Sequence, residues 1–106
     1  MFNRKFLLVL LFCFFSTSTH SSVEQTGFDE ICKIYTEALN SSMQKEQMSR
    51  YIFDNVKNRV NSVDALEAHS AVFNLDPAKR YLIFKQSAEL SLKQTWDCEA
   101  VKQLMK

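Results

Sequence analysis

The chain is predicted to be an all-α protein: four to five short helices in a compact bundle, with the first and last helices joined by one disulfide. Three observations predict it. Apolar residues recur at helical spacing through most of the chain after residue 26, and no segment alternates with period two for long enough to make a strand. One Gly and one Pro in 106 residues leave little material for the tight turns of β structure or for a glycine-rich phosphate loop. Cys32 and Cys98 lie near the two ends of the helical region, an even pair once the amino-terminal segment is set aside.

That segment reads as a secretory signal peptide over residues 1–21. Arg4 and Lys5 supply a positive start, Phe6 to Phe15 is a run of ten residues without a polar side chain, and residues 16–22 are small or polar apart from His20. A spanning helix needs about 20 apolar residues, so this run is too short to stay in a membrane. Thr19 and Ser21 fit the small residues required at a cleavage site, giving a mature start at Ser22; cuts after Ser18 or Ser22 fit nearly as well. A lipid-anchored reading on Cys13 is disfavoured by the bulky Phe12 before it. Residues 22–27 are then a short tail, and 28–106 a single helical domain.

The first helix is expected to start after Thr26, capped by its hydroxyl with Asp29 returning the bond. Phe28, Ile31, Cys32, Tyr35, Ala38 and Leu39 form its apolar stripe, and Ile34 lies off the stripe, partly exposed. Ser41 with Gln44 reads as a capping box opening a second helix, whose face is marked by Met48, Ile52, Val56 and Arg59 with Val60, with Tyr51 and Phe53 beside it. Asn61 or Ser62 caps a third helix from Val63, with Asp64 and Glu67 in its positive first turn. Asp76 and Pro77 open the fourth, which runs to about Lys93 with Tyr81, Phe84, Ala88 and Leu92 on one side. Trp96, Cys98, Val101, Leu104 and Met105 fit one face of a terminal helix capped by Thr95 or Asp97.

Removing the leader takes away Cys13, Arg4 and Lys5. Eleven basic residues then face twelve acidic ones, a charge of about −1, with both signs interspersed. No basic stripe marks a nucleic-acid or anionic-membrane surface, so neither nucleic acid nor stable membrane insertion is expected, and the unidentified partner would be a protein. Two cysteines in a small exported domain read as a structural disulfide closing a loop of about 66 residues, stabilising by about 4 kcal/mol in the chain-entropy model. A reactive thiol pair is the alternative, but there is no Cys-x-x-Cys and no His beside either Cys to lower a thiol pKa.

The second half of the chain bears Glu67 and Ala68, Ala71, Pro77, Arg80 and Tyr81, Lys85, Ala88 and Glu89, then Trp96, Cys98 and Ala100. With Cys32 near the mature start, this pattern resembles a class of small secreted or lipid-anchored proteobacterial proteins that end in a Trp-x-Cys-Pro-Ala-like motif. The resemblance spans about residues 28–105 and is made of spaced single residues; Glu99 stands where that class has Pro. It implies a disulfide-linked helical fold and brings no activity with it.

No catalytic residue, metal site or cofactor is expected. His69 is the one histidine outside the leader and reads as a core residue, since zinc draws on several ligands and both cysteines are assigned. Glu67 and His69 point in different directions on a helix, and Ser70 beside His69 lacks the elbow of a hydrolase. Arg80, Tyr81 and Trp96 form a possible binding surface, because Arg reads carboxylates and Tyr and Trp anchor interfaces. The plainer reading packs Trp96 beside the disulfide and pairs Arg80 with a surface acid. Met43, Met48 and Met105 suit core filling better than a partner surface. These features predict an exported, non-enzymatic interaction or accessory protein of the bacterial periplasm, periplasmic or secreted in location. The alternatives are a periplasmic stress chaperone, an immunity or inhibitor protein, or an enzyme centred on His69.

Overall fold

The computed structural model describes residues 22–105, which form five α-helices and no strand. The predicted leader over residues 1–21, with Lys106, lies outside the described residues. The helices are α1 (Ser22–Leu39), α2 (Lys45–Arg59), α3 (Val63–Val72), α4 (Pro77–Leu92) and α5 (Glu99–Leu104). α1 packs against all four others, and α3 and α4 form an antiparallel pair at its side. A disulfide between Cys32 and Cys98 joins α1 to the residue capping α5.

The core is built on α1. Phe28, Ile31, Ile34, Tyr35 and Ala38 are essentially inaccessible to solvent, and Phe84, Ala88, Val72, Ala65, Val101 and Met105 close over them. Ile34, expected to be partly exposed, is fully buried. The reason is the central position of α1. Ile34 sits on the edge of the apolar face nearest Glu30 and Glu37, which α2 covers with Arg59: the guanidinium donates to Glu30 at 2.8 Å and to Glu37 at 2.7 Å. Tyr51 donates its O–H to the same Glu37. Hydrogen bonds from Arg59 and then Tyr51 hold the Glu37 carboxyl down at about 2, although the group is over a third exposed and solvent weakens the pair.

Several boundaries differ from the sequence expectation. Residues 22–27, expected as a tail capped at Thr26, are already helical. α2 begins at Lys45 with Gln44 as its N-cap, and Gln47 Oε1 accepts from the Gln44 N–H. Ser41 instead ends α1: its hydroxyl donates to Ala38 O at 2.6 Å and accepts from the Met43 N–H. α5 starts at Glu99 with Cys98 as its N-cap, not Thr95 or Asp97. Asp76 occupies the N-cap of α4 with no side-chain cap bond; its carbonyl takes the Lys79 N–H, and Pro77 fills the first helical position, as expected. Ser62 does cap α3, accepting from the Ala65 N–H at 3.2 Å.

Gly27 marks where α1 crosses the start of α3. A Cβ there would lie 2.4 Å from Ser62 Cβ and 3.2 Å from Ala65 Cβ, so only glycine allows the approach. At the far end of α4, Lys93 closes the helix in the left-handed conformation, φ 56°, where glycine is commoner.

Candidate functional site

The residues singled out in the sequence fall into three settings. The first is a hydrogen-bonded clamp where α4 meets the segment leading into α5. Lys85 Nζ donates to Trp96 O at 2.6 Å and to Glu89 Oε2 at 2.7 Å, and that same carboxylate accepts the Trp96 N–H at 3.0 Å. Tyr81 donates its O–H to Asp97 and accepts the Cys98 N–H. The hydrogen bonds from Lys85 and the Trp96 backbone lower the Glu89 carboxyl, and that from Tyr81 lowers Asp97. Trp96 is buried edge-on against Phe28 and Phe84, at ring distances of 6.2 and 5.6 Å. Tyr81, Lys85, Glu89, Trp96 and Cys98, five of the residues on which the resemblance rests, thus act together to fix the approach to the disulfide.

The second setting is the cage around His69. The side chain is 3% exposed and shares a hydrogen bond with the Tyr35 hydroxyl, 2.7 Å from Nε2. Rings from four elements surround it: Tyr35 of α1, Phe53 of α2, Phe73 at the end of α3 and Phe84 of α4, all within 5.1–6.2 Å. Burial pushes the imidazole down to about 4 and raises the Tyr35 phenol, so both are neutral at pH 7. Glu67 and Ser70, its near neighbours in sequence, are solvent-exposed. Among the described residues no three His, Cys, Asp or Glu side chains converge as a metal site.

The third setting is a groove of about 410 Å³ between the first half of α2, the α3–α4 turn and the end of α5. Phe53 and Phe73 form its aromatic wall, ring centroids 4.9 Å apart, and Phe53 is 45% exposed. Met48, Ile52 and Leu104 extend the apolar lining, with Lys45 and Arg80 at its polar side. Arg80 was expected to pair with a surface acid. It lies instead over the Phe73 ring, 5.1 Å from the centroid, and donates Nε–H to Leu75 O.

Arg80, Tyr81 and Trp96 therefore do not share a surface: Arg80 faces the groove, the Tyr81 hydroxyl is engaged in the clamp, and Trp96 is in the core. The methionines also part company, Met105 buried and Met48 in the groove. Sequence reading missed Lys45, Phe53 and Phe73 as site residues. The available signal was Phe53, a large aromatic beside the apolar stripe of its helix, where a core residue has no reason to be. No helix among the described residues is long and apolar enough to cross a membrane. Comparison with protein-family models, curated proteins and solved structures returns no match.

Proposed function

We propose that the chain is an exported, non-enzymatic interaction protein of the bacterial periplasm, belonging with the small secreted proteins it resembles, and that it engages a protein partner through the α2–α4 groove. The observation that carries the reading is Phe53, 45% exposed against the partly buried Phe73. A domain this small gains from every buried ring, yet Phe53 opens to solvent in a concave, apolar lining. Export is supported by the leader and by the Cys32–Cys98 bond, which belongs in an oxidising compartment.

A photo-cross-linking residue placed at Phe53 in the full chain, expressed in a bacterial host with a periplasm, tests the reading. A discrete adduct is expected from Phe53 and not from the exposed Lys57 on the same helix, with the protein recovered from the periplasm beginning at Ser22. Equal labelling from both positions, or retention of the leader in the cytoplasm, would sink it.

A second reading, an acid-responsive chaperone, is favoured by His69. Protonation would put an unsolvated charge inside the cage, favour opening it to water between Phe53 and Phe73, and so loosen apolar surface. Aggregation of a client protein at low pH, measured with and without the chain, decides it: no protection removes the reading.

A further inference from the structure

Two cations line the groove without a carboxylate to answer them. Arg80 uses Nε on Leu75 O, and its terminal amino groups have no carboxylate partner among the described residues. Lys45, exposed in the first turn of α2, has none either. Across the described surface only Arg59, held by Glu30 and Glu37, and Lys85, held by Glu89, are paired; what sets Lys45 and Arg80 apart is their place on an apolar groove. No residue lining the groove is acidic. Contact with the Phe73 ring restrains the Arg80 guanidinium, which leaves less entropy to lose when an anion docks.

We infer that the groove receives a short apolar segment of a partner polypeptide bearing a carboxylate, with the acid on Arg80 and Lys45 and the apolar side chains against Phe53 and Phe73. The inference rests on reading the chain as an interaction protein and adds the chemistry of what it binds. The volume, about 410 Å³, suits a few side chains. Ser49 in the lining offers a hydroxyl to a peptide backbone, and Gln103, whose amide nitrogen donates to Glu99, offers its carbonyl oxygen, groups that a fatty acid would leave unused.

The test uses the full exported chain and an array of short synthetic peptides in matched pairs, each pair differing only by Glu or Gln beside Leu and Phe. Glu members are expected to bind about tenfold more tightly than their Gln partners, as a charge-assisted hydrogen bond implies, and to lose that advantage at high salt. Arg80→Gln and Lys45→Gln should each reduce the Glu preference, weakening Glu peptides more than their Gln partners, while Phe53→Ala weakens both alike. Lys45 is exposed and makes no side-chain bond, so K45Q keeps the test valid even if R80Q disturbs the α3–α4 turn. Equal binding of Glu and Gln peptides, or an unchanged preference in both charge variants, overturns the assignment. Uptake of dodecanoate in place of any peptide overturns it in favour of a lipid ligand. An adduct at Phe53 that forms equally well in R80Q and K45Q removes this inference and leaves the interaction reading standing; absence of any adduct removes that reading first.

Discussion

His69 shows how one buried side chain sets a pH response. Its neutral form fits the cage of Tyr35, Phe53, Phe73 and Phe84, and burial holds it down at about 4 against 6.5 in the unfolded chain. One charged group lies nearest the cage, Arg80 above Phe73, whose field also reaches the neutral Tyr35 phenol. Between about 6.5 and 4 the unfolded chain takes up a proton that the folded chain refuses, so stability falls as pH falls through that window. The difference amounts to about 3 kcal/mol once both forms are protonated. Glu37, Glu89 and Asp97 have depressed pKa values, so their contribution is present above the ordinary carboxylate range and is lost as pH falls through and below it, mostly beneath the His69 window. Urea unfolding followed across this range should therefore show a loss already under way at pH 5. His69→Gln keeps a partner for Tyr35 without a titrating group, and should flatten the curve between about 6.5 and 4.5 despite a lower stability at pH 7. A wild-type curve flat to pH 4.5, or the same slope in H69Q, rejects this account of His69.

At the scale of elements, the helices themselves were legible because their signals are local. Pro77 sets the start of α4, Ser62 caps α3, and the 3.6-residue spacing marks each inward face. What escaped the sequence depends on neighbours. Ile34 is buried because α2 covers a second edge of α1, and no periodicity within α1 encodes where α2 will lie. Ser41 and Gln44 form a capping box by spacing, yet the α1 exit turn takes the serine for itself. The groove was less legible still, since Lys45 and Phe53 of α2 meet Phe73 and Arg80 only after the α3–α4 pair has docked. The one glycine of the chain belongs to this class as well. In a helix interior it costs about 1 kcal/mol relative to Ala, so Gly27→Ala would stabilise an isolated α1. In the folded protein the added methyl meets Ser62 Cβ at 2.4 Å, and overpacking of that kind costs about 1–3 kcal/mol. Thermal melts should show G27A destabilised by about 1 kcal/mol overall. Ser62→Gly, itself a cap replacement worth only a few tenths, should relieve most of the loss in the double variant. Additive effects of the two changes would place the cost of G27A somewhere other than this crossing.

For the molecule as a whole, the question is what keeps a six-residue terminal helix in place. α5 is too short to be stable alone, so its structure depends on docking. Three contributions hold it: burial of Ala100, Val101 and Met105, the hydrogen bonds of Tyr81, Lys85 and Glu89 to the preceding segment, and the Cys32–Cys98 bond. The first two act only in the folded chain, and the polar groups among them are exposed or half-exposed, so water weakens each hydrogen bond. The disulfide acts on the unfolded chain, where closing a loop across 66 residues removes about 4 kcal/mol of entropy. That is close to the entire net stability of a small domain. Reduction, or Cys32→Ser with Cys98→Ser, should therefore lower stability by about 4 kcal/mol and the melting midpoint by about 20 °C. Trp96, the single tryptophan, is 7% exposed and sits between α4 and Cys98, so its fluorescence reports the docking of α5, while far-ultraviolet circular dichroism reports α1 to α4. In the oxidised protein the two signals should change together. In the reduced protein the Trp96 emission should shift to the red at a lower urea concentration than the helical signal is lost, because α5 is then tethered only through its own contacts. Coincident transitions in both states would mean that the clamp alone docks α5, and an unchanged midpoint on reduction would mean that the disulfide contributes nothing to stability.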